Sequence, residues 1–294
     1  MIRINDSDFV ASDKAYKAIL NNDIESLKSA LRENRQGSIT YVDVTRKNIT
    51  ALSLASSLGK EEFVAILIEA GSLLDATDSS GSTAIHYAAE NGHKAVLNCL
   101  IFNGIDVKTV NSNGSTAIHL AACNGHYDIV KILVDTQKID IDKVDKNEMT
   151  ALLYAAKEGH LKVLRYLILK DAKTDVKANK KTLLVFAAEQ KHYECFTFII
   201  KNVQGSLTTF LQTFKKPAAD FIIKFSKERK ADFEEYASSF INSIIETERL
   251  DLAIMLLVNN IQLQQPGVRN TDGIFIELCS KKYLEVTLHT INLI

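Results

Sequence analysis

The sequence predicts an all-α solenoid of stacked helix-turn-helix units with loop or hairpin tips. Three observations carry this. The phrase Thr-Ala-Ile-His-Tyr-Ala-Ala-Glu-Asn-Gly-His at 83–93 returns as Thr-Ala-Ile-His-Leu-Ala-Ala-Cys-Asn-Gly-His at 116–126 and, looser, at 150–160. Each phrase is followed by paired aliphatics at helical spacing, and each unit is separated from the next by a polar loop. Self-similarity at a fixed period of this length marks a stack of small units, not one globule around a single centre.

The elements follow in order. Residues 1–42 read as capping helices: Ala18–Leu31 resembles a shortened unit whose outer face is polar, as the end of a stack requires. Residues 43–203 hold about five units, marked by Thr50, Thr83, Thr116, Thr150 and Thr182. Each Thr suits an N-cap, its hydroxyl accepting from an orphan backbone N–H. A short helix then ends in Ala-Ala at 88–89, 121–122, 155–156 and 187–188. Small residues there let neighbouring helices come close. Gly-His or a variant follows at 59–60, 92–93, 125–126 and 159–160, Gly suiting the left-handed turn after a helix. The second helix carries Val96-Leu97 then Leu100-Ile101, Ile129-Val130 then Leu133-Val134, and Val163-Leu164 then Leu167-Ile168, predicted to share one buried face. Loops such as Asp78–Gly81 and Asn111–Gly114 have turn chemistry.

Residues 204–238 break the period and are expected to add one or two helices, with Phe221, Ile222 and Phe225 on an apolar face. Residues 239–294 fit the helix pair again with eroded signatures, or form a helical C-terminal cap.

The Thr-x-Leu/Ile-His-x-Ala-Ala-x-x-Gly-His phrase at this spacing resembles the ankyrin repeat. The usual Pro after Thr is here Ala51, Ala84, Ala117, Ala151 or Leu183, which forgoes a preorganised first turn and leaves the assignment standing. The resemblance implies that His86, His119, His93, His126 and His160 tie loops and units together through backbone hydrogen bonds. It also implies a concave binding surface made of tip residues and the two positions after Ala-Ala. Carried over by position, these are Arg46, Lys47, Ile49, Ser57 and Leu58; Ser79, Ser80, Ser82, Glu90 and Asn91; Ser112, Asn113, Ser115, Cys123 and Asn124; Lys146, Asn147, Met149, Lys157 and Glu158; and Glu189 and Gln190.

Composition excludes several classes. Apolar residues make 46% and charged residues 24%, ordinary for a soluble folded protein, and the net charge of −1 gives no pull toward nucleic acid or anionic membrane. The apolar run near Leu252–Val258 falls far short of the ~20 residues a spanning helix needs. Asp6 and Asp8, with no apolar run behind them, argue against a secretory leader. The four cysteines form no Cys-x-x-Cys pair, so neither a zinc site nor a disulfide framework is expected. Reduced thiols fit the cytoplasm.

Two chemical alternatives are weighed. The repeated His could build a ladder of metal ligands, but they recur with the period instead of converging, so no metal or cofactor is expected. Cys123 lies one helical turn from His119, a conceivable nucleophile–base pair; His119 occupies a scaffold position with another task. With no phosphate-cradling loop or nucleophile elbow, no enzyme activity and no catalytic residue are expected. The leading expectation is a monomeric, cytoplasmic adaptor that binds a protein partner through the concave groove, without nucleic acid or membrane. The alternatives are a microbial effector engaging host proteins, acting in the host cytoplasm, or a regulatory or targeting subunit with activity in 203–294.

Overall fold

The computed structural model describes residues 6–33, 40–43, 47–136, 139–213 and 215–247. The chain divides into two compact units at Asn179/Lys180.

The first unit opens with α1 (Asp6–Asn21) and α2 (Ile24–Glu33), packed on each other. They are joined by a tight turn in which Asn22 takes a φ of 60° and the Asp23 carboxylate accepts from the Ser26 N–H at 2.9 Å. Next comes an antiparallel hairpin of β1 (Thr40–Asp43) and β2 (Lys47–Thr50), with Tyr41 opposite Ile49 and Val42 opposite Asn48. The hairpin straddles the boundary that the sequence places after residue 42. It is the one paired ribbon among the described residues.

Four helix pairs follow: α3 (Ala51–Ser57) with α4 (Glu61–Glu69), α5 (Ala84–Glu90) with α6 (Lys94–Phe102), α7 (Ala117–Cys123) with α8 (Tyr127–Asp135), and α9 (Ala151–Lys157) with α10 (Leu161–Leu169). The short first helices α3, α5, α7 and α9 pack in one row, and the second helices α4, α6, α8 and α10 in another. Ala88, Ala89, Ala121, Ala122, Ala155 and Ala156 are wholly buried, which explains the repeated small pair: any larger side chain there would hold the rows apart. Along the second helices Val96, Leu97 and Leu100, then Ile129, Val130 and Leu133, then Val163, Leu164 and Leu167 fill the core. The shared buried face expected for every aliphatic is narrower than that: Ile101, Val134 and Ile168 are half-buried. Adjacent residues point about 100° apart on a helix, so only one of the later pair can centre on the core.

The first marked unit departs from its neighbours where His would stand after Gly59. Lys60 sits there, and its ammonium donates to the carbonyls of Ile19 and Leu20 at the end of α1. That bond fastens the α1–α2 pair to the repeats.

The second unit holds α11 (Leu183–Glu189), α12 (Tyr193–Asn202), α13 (Ser206–Thr213), α14 (Lys215–Glu228), α15 (Lys230–Glu235) and α16 (Ala237–Glu246). Between 204 and 238 there are three helices, where the sequence suggested one or two. Phe221, Ile222 and Phe225 are all buried. They join Phe196, Phe210, Phe233 and Phe240 in an aromatic core, with ring centroids 4.6 Å apart for Phe196–Phe221 and 5.1 Å for Phe233–Phe240. Such pairs contribute beyond the area they bury. Of the stretch 239–294, α16 supplies the part up to Glu246; residues 248–294 lie outside the described residues.

Candidate partner-binding surface

The surface is assembled from three kinds of bond, each set by the repeated phrase. The first is the helix cap. Thr50 and Thr150 accept from the N–H of Ser53 and Leu153, at 3.0 and 3.2 Å. At Thr83 and Thr116 the third helical residue is His, and a reciprocal box forms. The Nε2–H of His86 donates to the carbonyl of Ser115 (3.1 Å) and that of His119 to the carbonyl of Lys143 (2.8 Å). A carbonyl can only accept, so Nδ1 of each ring is the acceptor and takes the Thr83 or Thr116 N–H at 3.2 and 3.1 Å. Burial holds both imidazoles below their usual pKa, and they are neutral in the fold.

The second bond ties successive units. Gly59, Gly92 and Gly125 adopt φ of 70°, 75° and 73°. The ring of the following unit's His lies directly against each: a Cβ on Gly92 would stand 2.6 Å from His126 Nδ1. From there Nε2–H of His93, His126 and His160 reaches the carbonyls of Ser57, Glu90 and Cys123, each at 2.9 Å. Gly is needed both for the left-handed turn and for the approach of the ring.

The third bond builds the tips. Asp78 Oδ1 accepts from the N–H of Ser80 and Ser82, at 2.8 and 2.9 Å. Asp145 Oδ1 does the same for Asn147 and Met149, at 2.8 and 3.0 Å. The other carboxylate oxygen takes the hydroxyl of Tyr87 or, at 2.7 Å, of Tyr154. Burial alone would raise the pKa of both Asp; the bonds from Tyr and from the loop outweigh it and hold each below its usual value. The same burial and the same carboxylates push the Tyr87 and Tyr154 phenols up. Asn111 builds the intervening tip through Asn113 and Ser115 N–H at 2.9 and 3.0 Å, and there the helix position holds Leu120 instead of Tyr. Tips are strung together by Ser112 N–H to Ser80 O (2.8 Å) and Lys146 N–H to Asn113 O (2.9 Å).

Residues 15–209 match, in the overlapping stretches 15–111, 77–145, 96–178 and 119–209, the family model described as ankyrin repeats (3 copies). The chain belongs to the ankyrin repeat family. No curated protein matches it. Ankyrin repeats are generally protein–protein interaction modules. The ties that the resemblance implied for His86, His119, His93, His126 and His160 are the ones this ankyrin stack makes.

The candidate residues divide by exposure. Leu58, Ser79, Glu90, Asn91, Ser112, Asn113, Asn124, Lys146, Asn147 and Glu158 are exposed in the first unit, and Glu189 and Gln190 in the second. Ile49, Ser57, Ser80, Cys123 and Lys157 are half-buried. Ser82, Ser115 and Met149 are buried and leave the set as side chains. Each directly precedes a capping Thr, and its N–H is held by the tip carboxylate or amide, which turns it inward. Arg46 lies outside the described residues, and Lys47 opens β2.

Asn91 and Asn124 donate their amide NH2 to Tyr87 O and Leu120 O, both at 2.9 Å, which fixes their carbonyl oxygens as acceptors. Lys157 pairs with Glu158 at 3.1 Å, leaving Glu90 and Lys146 as separate charges of opposite sign. Asp78 and Asn111 enter the sequence reading only as turn residues, and Asp145 not at all. Their signal was available: each stands five residues before its Thr, and the two Asp coincide with Tyr four residues after it.

The Cys123–His119 pair does not form, because both His119 nitrogens are already bonded. Burial, then the neighbouring Glu158 charge, pushes the Cys123 thiol up, away from a thiolate nucleophile. Among the described residues no three His, Cys, Asp or Glu come together to hold a metal ion, and no helix is long and apolar enough to cross a membrane.

Proposed function

We propose that the chain is an adaptor whose partner protein lies along the tips and first-helix ends of the ankyrin stack, meeting Ser79, Glu90, Asn91, Asn113, Asn124, Lys146 and Glu158. The observation that carries this is preorganisation. Tip carboxylates, His ties and amide caps hold these positions in place while the side chains themselves stay exposed. A surface ordered in advance loses little freedom on binding. Its mixed charge and fixed acceptors suit a polar polypeptide segment. The free thiols of Cys99, Cys123 and Cys195 fit work in a reducing compartment such as the cytoplasm. The reading includes action as a monomer.

The test is affinity capture with the full chain followed by titration of the captured partner. Lys146→Glu combined with Lys157→Glu turns the wall acidic beside Glu90 and Glu158, and is expected to weaken binding at least about tenfold. Undiminished affinity, with the fold intact by circular dichroism, places the partner elsewhere.

A further inference from the structure

We propose that the Asn179–Lys180 turn is a built-in breaking point, so that 51–169 and 182–246 lose structure as two separate cooperative blocks.

The turn itself departs from the three tips described before it. Asn179 and Lys180 are successive non-glycine residues at φ of 50° and 64°. Gly81 and Gly114 take this conformation in earlier tips, and in the fourth a single residue, Glu148, does so at 62°. L side chains resist the left-handed region, and two in succession concentrate strain in one turn. The loop is also shorter, Thr182 following Thr150 at 32 residues where the earlier steps are 33 or 34. The N–H groups of Ser112 and Lys146 bond to backbone carbonyls, whereas that of Asn179 meets the exposed carboxylate of Glu148 at 3.0 Å.

Immediately beyond the turn the repeat's own fastenings lapse. The capping-box His is missing at Val185, as it already is at Ser53 and Leu153, so the losses new to this side are the cap and the glycine turn. The Thr182 cap makes no side-chain bond, and its hydroxyl is buried without a partner. Lys191, at φ 59°, stands where Gly59, Gly92, Gly125 and Gly159 receive their turns. The two sides also cohere by different means. Both bury an Ala pair on the first helix, but the first is tied by His-to-carbonyl bonds, whereas the second is filled by the rings of Phe196, Phe210, Phe221, Phe225, Phe233 and Phe240. The division of the chain into compact units falls on the same peptide. A stack transmits stability through nearest-neighbour interfaces, so a weak step divides it into separately opening segments. The 180–247 block can then open, or be cut away after Lys180, while the surface on α5, α7 and α9 stays folded.

Hydrogen exchange of the full chain, read by mass spectrometry of its peptides, tests this with one mild variant per block. Phe240→Leu is expected to speed exchange several-fold, about tenfold at most, over 182–246 and to leave 83–135 unchanged. Ile129→Val is expected to do the reverse by a similar factor, about two- to tenfold. Within 51–246, limited trypsin digestion of the unaltered chain is expected to cut first after Lys180. Exchange that changes in both blocks together, or in neither, overturns the proposal, as does a first cut within α3–α10.

Discussion

At the residue scale the informative pairs are Asp78 with Tyr87 and Asp145 with Tyr154. Each Asp spends one oxygen on the loop and the other on a phenol. Tyr87→Phe removes the phenol and leaves a partly buried carboxylate oxygen less well served, an expected loss of about 1 kcal/mol in chemical denaturation. Leu120→Phe, at the matching position in the unit whose tip is built by Asn111, removes no such bond and is the control.

The pH dependence follows from the direction of these shifts. The folded pKa of Asp78 and Asp145 is depressed, so their contribution is complete above the unfolded value of about 3.9 and is lost as pH falls through the folded one. His86 and His119 act earlier in the same direction. Their folded pKa lies below the unfolded value of about 6.5, so stability held by the neutral rings declines as pH falls below that value. Stability is therefore expected to fall in two stages on acidification. Asp78→Asn, which copies Asn111, is expected to flatten the lower stage when denaturation is repeated across pH.

At the scale of the element, helix caps and unit ties are the same residues seen from two sides. His119 completes the cap of α7 and reaches the following loop, and His126 precedes α8 and reaches back to α5. Gly92→Ala tests the tie directly. The added Cβ would stand 2.6 Å from the His126 ring on a backbone at φ 75°, so both the turn and the tie suffer. An expected loss of about 1–3 kcal/mol would be read in urea unfolding. Gly71→Ala, also at positive φ but with nothing within 4 Å of its added Cβ, is expected to lose only the backbone part.

This scale also explains what was legible in the sequence. The helices from α3 to α12 were readable because Thr, Ala-Ala and Gly-His recur at one period, each with its own steric reason. Ser82, Ser115 and Met149 were misread as exposed, because position in a loop does not reveal that a neighbouring carboxylate draws the backbone inward. The three helices between 204 and 238 were under-read for another reason. With no second copy to compare, only the local apolar face of Phe221, Ile222 and Phe225 was visible; the turns near Arg229 and Tyr236 have no glycine or proline to announce them.

At the scale of the whole molecule, charge is the property that constrains a partner. Lysine and arginine number 35 against 36 aspartate and glutamate, so no long-range field of one sign steers association. On the proposed surface the balance is repeated: Lys157 is already paired with Glu158, and Glu90 is offset by Lys146. Affinity would then rest on fit and on fixed hydrogen-bond partners such as the Asn91 and Asn124 carbonyl oxygens, which salt screens little. Raising salt from about 0.05 to about 0.2 M is therefore expected to change the partner's Kd by less than about fivefold. A nucleic-acid ligand held through many phosphates would lose on the order of a thousandfold or more over that range. A steep salt slope in the titration would place the affinity in charge, against a wall whose charges largely cancel.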